Sequence, residues 1–255
     1  MCIRDRNRVM NNQDNKWVLI TGGAKRIGAE VARTLHERGM NIAIHYNSSN
    51  QDAESLCDEL NAIRKNSIMV FGANLTSDDA VEELIPEVLT KTGRLDVLIN
   101  NASTFYPTPI DDITHDDWDS LIGTNLKAPL FLCKHAAKHL RETKGSIVNM
   151  VDIHATKPLS NHPIYGPAKS GLVMLTRSLA RDLAPEVRVN GIAPGMILWP
   201  EKEPPENVKE KIIEQIPLRR SGSPKDIANT IKFLIEDADY MTGQIIAVDG
   251  GRGIS

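Results

Sequence analysis

The sequence has few cysteines, and those it has, Cys2, Cys57 and Cys133, are scattered and odd in number. They form neither a disulfide framework nor a metal-ligand spacing, which excludes a stapled secreted scaffold and points to a reducing, cytoplasmic setting with no metal site. No apolar run approaches the ~20 residues of a membrane-spanning helix, so no membrane partner is expected. The first residues are charged and lack the apolar stretch of a secretory signal; residues 1–14 are set aside as a leader, with Met10 as an alternative start. Net charge is −3, from 30 Lys+Arg against 33 Asp+Glu, and no basic stripe argues for nucleic acid. There is no internal repeat and no low-complexity segment. With 41% hydrophobic and 25% charged residues, residues 15–255 can bury the core of one α/β domain.

Strand and helix signals then alternate along the chain. The apolar Trp17-Val18-Leu19-Ile20 runs into Thr21-Gly22-Gly23-Ala24-Lys25-Arg26-Ile27-Gly28, and a helical pattern follows with Ile27, Val31 and Leu35 on one face. A glycine turn at a helix N-terminus lets backbone N–H groups approach a pyrophosphate; on its own it also fits simple strand–helix punctuation. Residues 41–46 form the second strand. Folds selective for NAD place a carboxylate at its end. This chain has His45, Tyr46, Asn47, Ser48 and Ser49 there, and no acid before Asp52, while Lys25 and Arg26 lie in the glycine turn. A missing acid beside two cations argues for a 2′-phosphate, hence NADPH, although both cations also fit as solvated turn residues.

Helices over 52–64 and 78–92 flank a strand at 67–73 that closes on Asn74-Leu75. The next strand, 95–100, ends in Asn100-Asn101-Ala102-Ser103. This rhythm predicts right-handed βαβ units and a parallel sheet covered on both faces, with ligands outside the carboxyl ends of the strands. Gly22–Gly28, Asn74 and residues 100–103 all fall at such ends. Aromatics make up only 4% of the chain, yet Phe105 and Tyr106 adjoin at one of these ends. A ring there suits stacking on a flat heterocycle, or simply packing of the loop. A helical region over 116–141 carries Asn125, strand 146–151 stops at Asp152, and strand 187–192 ends at Ala193-Pro194-Gly195. Residues 196–217, with Pro200, Pro204, Pro205 and Pro217, read as a mobile lid. Ser223-Pro224 starts another helix, and 245–248 is the last strand.

In the helix predicted over 163–183, Tyr165 and Lys169 stand four residues apart and therefore on one face. A lysine ammonium beside a phenol favours the phenolate and would lower its pKa from about 10, producing a general acid. The spacing alone is common on exposed helices, so the weight comes from what surrounds it.

Together the T-G-x-x-x-x-x-G turn, N-N-A, Asn125, Y-x-x-x-K, P-G and the terminal V-D-G-G over residues 17–253 resemble the short-chain dehydrogenase/reductase family. The resemblance implies a doubly wound Rossmann fold with about seven parallel strands, a nicotinamide cofactor and a homotetramer. One position departs from the common pattern: most members carry Ser or Thr where this chain has Asp152. In that respect, and at residues 21–28, His45-Tyr46, 101–109 and 150–152, the chain is similar to the pteridine reductase branch. Where that branch commonly has Asp-Leu, this chain has Asn74-Leu75.

The resemblance implies hydride transfer from NADPH to a C=N bond of a dihydropterin or dihydrofolate. Tyr165 is then the proton donor, Lys169 binds the nicotinamide ribose, Asp152 hydrogen-bonds the substrate, and Asn125 holds a relay water. Phe105 is expected to stack on the substrate and Ser103 to contact cofactor or substrate. Arg26, His45, Asn47 and Ser49 are expected around the 2′-phosphate. Gly22, Lys25, Ile27, Gly28, Tyr46, Asn74, Leu75, Asn101, Ala102, Pro194 and Gly195 complete the expected cofactor contacts. Two other functions fit less of the pattern: a reductase of 3-oxoacyl or other carbonyls, and a catalytically silent NADPH-binding regulator.

Overall fold

A computed structural model describes residues 15–200 and 203–255; the expected leader lies outside them. Seven strands form one sheet in the order β3-β2-β1-β4-β5-β6-β7. They are β1 (Trp17–Ile20), β2 (Asn41–Tyr46), β3 (Ile68–Gly72), β4 (Val97–Asn100), β5 (Ser146–Met150), β6 (Arg188–Pro194) and β7 (Ile245–Val248). Every pairing is parallel. Parallel strands need crossovers and are buried on both faces, which is why β1 and the first three residues of β4 read as apolar runs.

The two faces carry separate cores. Val18, Ile20, Ile42, Ile44, Ile99 and Ile192 meet α1 (Arg26–Glu37), α2 (Asn50–Ile63) and α8 (Pro224–Glu236). Leu19, Ala43, Phe71, Leu98, Ile147 and Val189 meet α3 (Asp78–Thr92), α5 (Ala128–Thr143) and α6 (Tyr165–Asp182). The alternation of side chains along each strand supplies both faces. Inside the second layer the sheet holds a polar seam. Asn100 of β4 pairs in register with Asn149 of β5; Asn100 Nδ2 donates to Asn149 Oδ1 at 2.8 Å, and Asn149 Nδ2 donates to Thr176 Oγ1 on α6 at 2.9 Å.

Local signals set several helix ends. Ser223 caps α8 through a reciprocal bond with Asp226, with Pro224 in the first turn. Thr114 and Asp117 do the same for α4 (His115–Ile122). The long helix expected over 116–141 is interrupted: α4 passes through a π-helical stretch, Gly123–Lys127, into α5. One wide turn shifts the register there and turns Asn125 into the protein interior.

Residues 196–217 are tied down at both ends, because Ile197 and Ile216 are buried. Between them lies α7 (Glu206–Glu214), which buries no residue. No helix among the described residues is long and apolar enough to cross a membrane.

Candidate active site

The chain runs out from β1 to the edge at β3, then crosses back to β4 on the other side of β1. Such a reversal opens a crevice at the strand ends. Here it is a cleft of about 630 Å³ lined by the glycine turn, by the ends of β2 and β3, and by residues 101–104.

Backbone fit shapes this cleft. Gly22 has φ +61°, and a Cβ on it would meet Ala102 Cα at 3.0 Å. A Cβ on Gly28 would lie 2.4 Å from the Gly22 carbonyl oxygen and 2.9 Å from Asn101 Nδ2. Asn101 Nδ2 donates to the carbonyls of Thr21 and Gly22, both at 2.9 Å. Thr21 Oγ1 in turn accepts from the N–H of Asn101 and of Ala102. The N-N-A segment is thereby stitched to the glycine turn. Lys25 caps α1 without a side-chain bond, so the first N–H groups of that helix remain for an anion. Glycine cradle, uncapped helix and cleft fit a dinucleotide pyrophosphate.

Around this cradle, Ile27, Tyr46, Asn47, Ser49, Asn74 and Leu75 line the walls as expected. His45 is engaged differently. Its Nδ1 accepts from the Gly22 N–H at 3.1 Å and its Nε2 faces the Ala73 carbonyl at 3.0 Å. Burial lowers its pKa. The imidazole is neutral, with both nitrogens used to fix the turn, so no ring nitrogen is left to face a phosphate. Lys25 pairs with Asp52 at 2.9 Å. Arg26, at φ +53°, donates from Nη2 to the Trp199 carbonyl at 3.1 Å, linking the glycine turn to the segment after β6. Pro194 and Gly195 stand apart from these walls, with the Gly195 N–H bonded to the Val248 carbonyl.

The second part of the site is made by side chains. Asp152, just past β5, accepts the Tyr165 hydroxyl on Oδ2 at 2.8 Å and the His154 N–H on Oδ1 at 2.8 Å. Tyr165 opens α6 and is buried. Lys169 is also buried; its Nζ donates to the Met150 carbonyl at 2.8 Å and lies 5.7 Å from the Tyr165 ring centre. The expected drop in the phenol pKa is not found. Burial first, then the Asp152 charge and the hydrogen bond to it, raise Tyr165 above the usual phenol value. Burial lowers Lys169 to about 8, opposed by the Asp152 charge.

Asn125 is fully engaged within the protein. Its Oδ1 accepts from Ser103 Oγ at 2.7 Å, and its Nδ2 donates to the carbonyls of Thr104 and Leu121, both at 2.9 Å. The side chain braces the 103–104 segment. Phe105 meets Tyr165 edge-on, with ring centres 4.8 Å apart. Tyr106 packs with Leu121, Ile164 and Tyr165.

Three residues at this site were not singled out in the sequence: Thr21, Trp199 and His162. Thr21 precedes the glycine turn and was readable as part of it. Trp199 and His162 reach the site from loops, and no periodicity marks them.

A profile of the family described as enoyl-(acyl carrier protein) reductase matches residues 22–252. The chain is 38% identical to the 3-oxoacyl-(acyl-carrier-protein) reductase FabG of Staphylococcus epidermidis, over 93% of this chain and 98% of that protein. It is 36% identical to pteridine reductase 1 of Leishmania tarentolae, over 93% and 96%. A solved structure of a blue fluorescent protein from a metagenomic library, in complex with NADPH, superposes with a TM-score of 0.88 at 30% identity, covering 94% of this chain and 99% of that one. With sheet order, glycine turn and Tyr165–Lys169 pair all in place, these matches show that the chain belongs to the short-chain dehydrogenase/reductase family.

Proposed function

We propose that this protein uses NADPH to reduce the C=N bond of a dihydropterin or dihydrofolate to the tetrahydro form. The Tyr165 hydroxyl donating to Asp152 at 2.8 Å carries this reading. A ketone oxygen at the reacting centre needs a second donor beside the tyrosine; an ionised carboxylate only accepts. A pterin offers ring N–H and amino groups, which a carboxylate suits.

When bound, the nicotinamide would supply a hydride to the ring carbon. The nitrogen that gains the electron pair needs a proton, and Tyr165 holds one because burial and Asp152 keep its phenol un-ionised. Asp152 orients that hydroxyl, accepts from the substrate and passes a replacement proton from solvent. Lys169 would hold the nicotinamide ribose. Arg26, Asn47 and Ser49 would hold the 2′-phosphate, and the segment after β6 would close over the substrate. Leu130 on α5, Met174 on α6 and Phe233 on α8 are exposed apolar side chains that suit the faces of a homotetramer.

The relatives favour a second reading. The 3-oxoacyl reductase from Staphylococcus matches at 38%, the pteridine reductase at 36%; by sequence similarity alone, reduction of a 3-oxoacyl thioester fits at least as well. Steady-state NADPH oxidation with dihydrobiopterin, dihydrofolate and an acetoacetyl thioester separates the two. Dihydrobiopterin or dihydrofolate is expected to be preferred, and Asp152→Ser to lose on the order of 10²-fold of that activity. A wild-type preference for the thioester would sink the pterin reading and establish the other.

A further inference from the structure

Phe105 is 55% exposed, yet one face of its ring is already covered. The His162 imidazole lies on it, with ring centres 4.8 Å apart and planes 13° from parallel. That is how a flat heterocycle sits on a phenyl ring. The pair stands directly against Tyr165, so the covered face belongs to the reacting end of the site.

His162 is poorly held in this position. Its Nδ1 bonds only the Ser160 carbonyl, two residues away, at 2.7 Å. A carbonyl can only accept, so Nδ1 carries the proton and Nε2 of the neutral ring is a bare acceptor. Nε2 is out of solvent and, among the described residues, meets no hydrogen-bonding group. A buried acceptor left unfilled costs free energy, and the stack therefore carries a penalty that moving the ring would relieve. There is room for it to move: a hollow of about 750 Å³, lined by Ile110, His154, Leu159, Pro163, Pro167 and His162 itself, lies alongside. His162 also sits in the turn before α6, outside the helix.

We infer that His162 is a specificity-determining residue that covers the Phe105 face in place of the substrate ring and yields it to a flat nitrogen heterocycle. A planar ring recovers the stacking lost when His162 leaves; an open-chain acyl thioester does not, and is disfavoured. The inference rests on the pterin reading of the site and adds to it a residue that selects for planarity.

The test compares wild type with His162→Ala and His162→Gln, both of which remove the stacked ring. KM for dihydrobiopterin at saturating NADPH is expected to fall about fivefold with kcat held within about twofold, since a competing closed state is removed. The chain has four phenylalanines, so fluorophenylalanine labelling gives a small fluorine spectrum in which Phe105→Leu assigns residue 105. That resonance is expected to move on adding dihydrobiopterin to the wild type, and to start displaced in both variants. An unchanged or raised KM in both variants, or a residue-105 resonance indifferent to His162, overturns the inference while leaving the pterin reading standing. No turnover of either dihydrobiopterin or dihydrofolate by any of the three proteins removes the pterin reading, and the inference with it.

Discussion

The cofactor cleft and the substrate end of this site are built from different materials. The cleft is shaped by backbone: Gly22 and Gly28 where a Cβ has no room, Thr21 and Asn101 tying two strand ends together, and the open N-terminus of α1. The substrate end is shaped by side chains from distant segments, Asp152 with Tyr165, Ser103 with Asn125, and Phe105 with His162. Backbone shape tolerates change in surrounding side chains and so holds one cofactor across a family. Side-chain shape can be rewritten one residue at a time, which is where a substrate is chosen.

If that division is real, damage at one end should leave the other working. The largest effect is expected from Tyr165→Phe, which keeps the ring and removes the proton: turnover should drop by ~10²–10⁴-fold while the NADPH dissociation constant holds. Near-full activity would remove Tyr165 from the proton transfer; a large loss of NADPH binding would break the comparison.

Next comes a pH effect at the substrate end. Lys169 titrates at about 8 in the folded protein against an ordinary 10.5. Below pH 8 it is charged in both states and its burial is a penalty. Between pH 8 and 10.5 the unfolded chain binds more protons than the folded one, so stability rises with pH, by up to about 3 kcal/mol. Tyr165, whose pKa is raised, works the opposite way once pH passes its unfolded value near 10. Urea midpoints from pH 7.5 to 10 should therefore climb for the cofactor-free wild type relative to Lys169→Met. A constant difference between the two would show that the ammonium is compensated.

Gly28→Ala attacks the cleft instead. Its methyl would press on the Gly22 carbonyl at 2.4 Å, costing about 1–3 kcal/mol and abolishing NADPH binding. Calorimetry with NADPH and a denaturant melt check both; wild-type affinity would mean the turn is looser than its contacts imply. The smallest change is expected from Arg26→Leu, which should raise KM for NADPH about tenfold and leave that for NADH nearly unmoved. Equal shifts would mean that the contact to Trp199, and not a 2′-phosphate, is the main work of Arg26.

How far the sequence could be read follows the same division. The sheet, the glycine turn and the Tyr165–Lys169 face were legible because they follow from local spacing. So was the cap at Ser223. The π-helical break at Asn125 was not: Gly123, Thr124 and Asn125 are weak helix formers, but weak propensity alone does not say where a wide turn falls. The sign of the Tyr165 shift was missed because it comes first from burial and then from Asp152, which lies thirteen residues away and reaches the hydroxyl through the fold. His45 looked like a phosphate contact from its place after β2, but Gly22 and Ala73 claim both nitrogens. His162 carried no signal at all.

The amides of Asn100 and Asn149 have a consequence for recombination. Parallel strands that are apolar on both faces can slide past one another at little cost in hydrophobic contact, so oiliness alone sets their alignment weakly. A buried amide that must find its partner sets it sharply, because a slipped pairing strands two polar groups in the core. A chimera that imports β4 or β5 from a relative lacking its half of the pair would fold with its strand ends misplaced, while exchanging both together would keep every loop above the sheet in position.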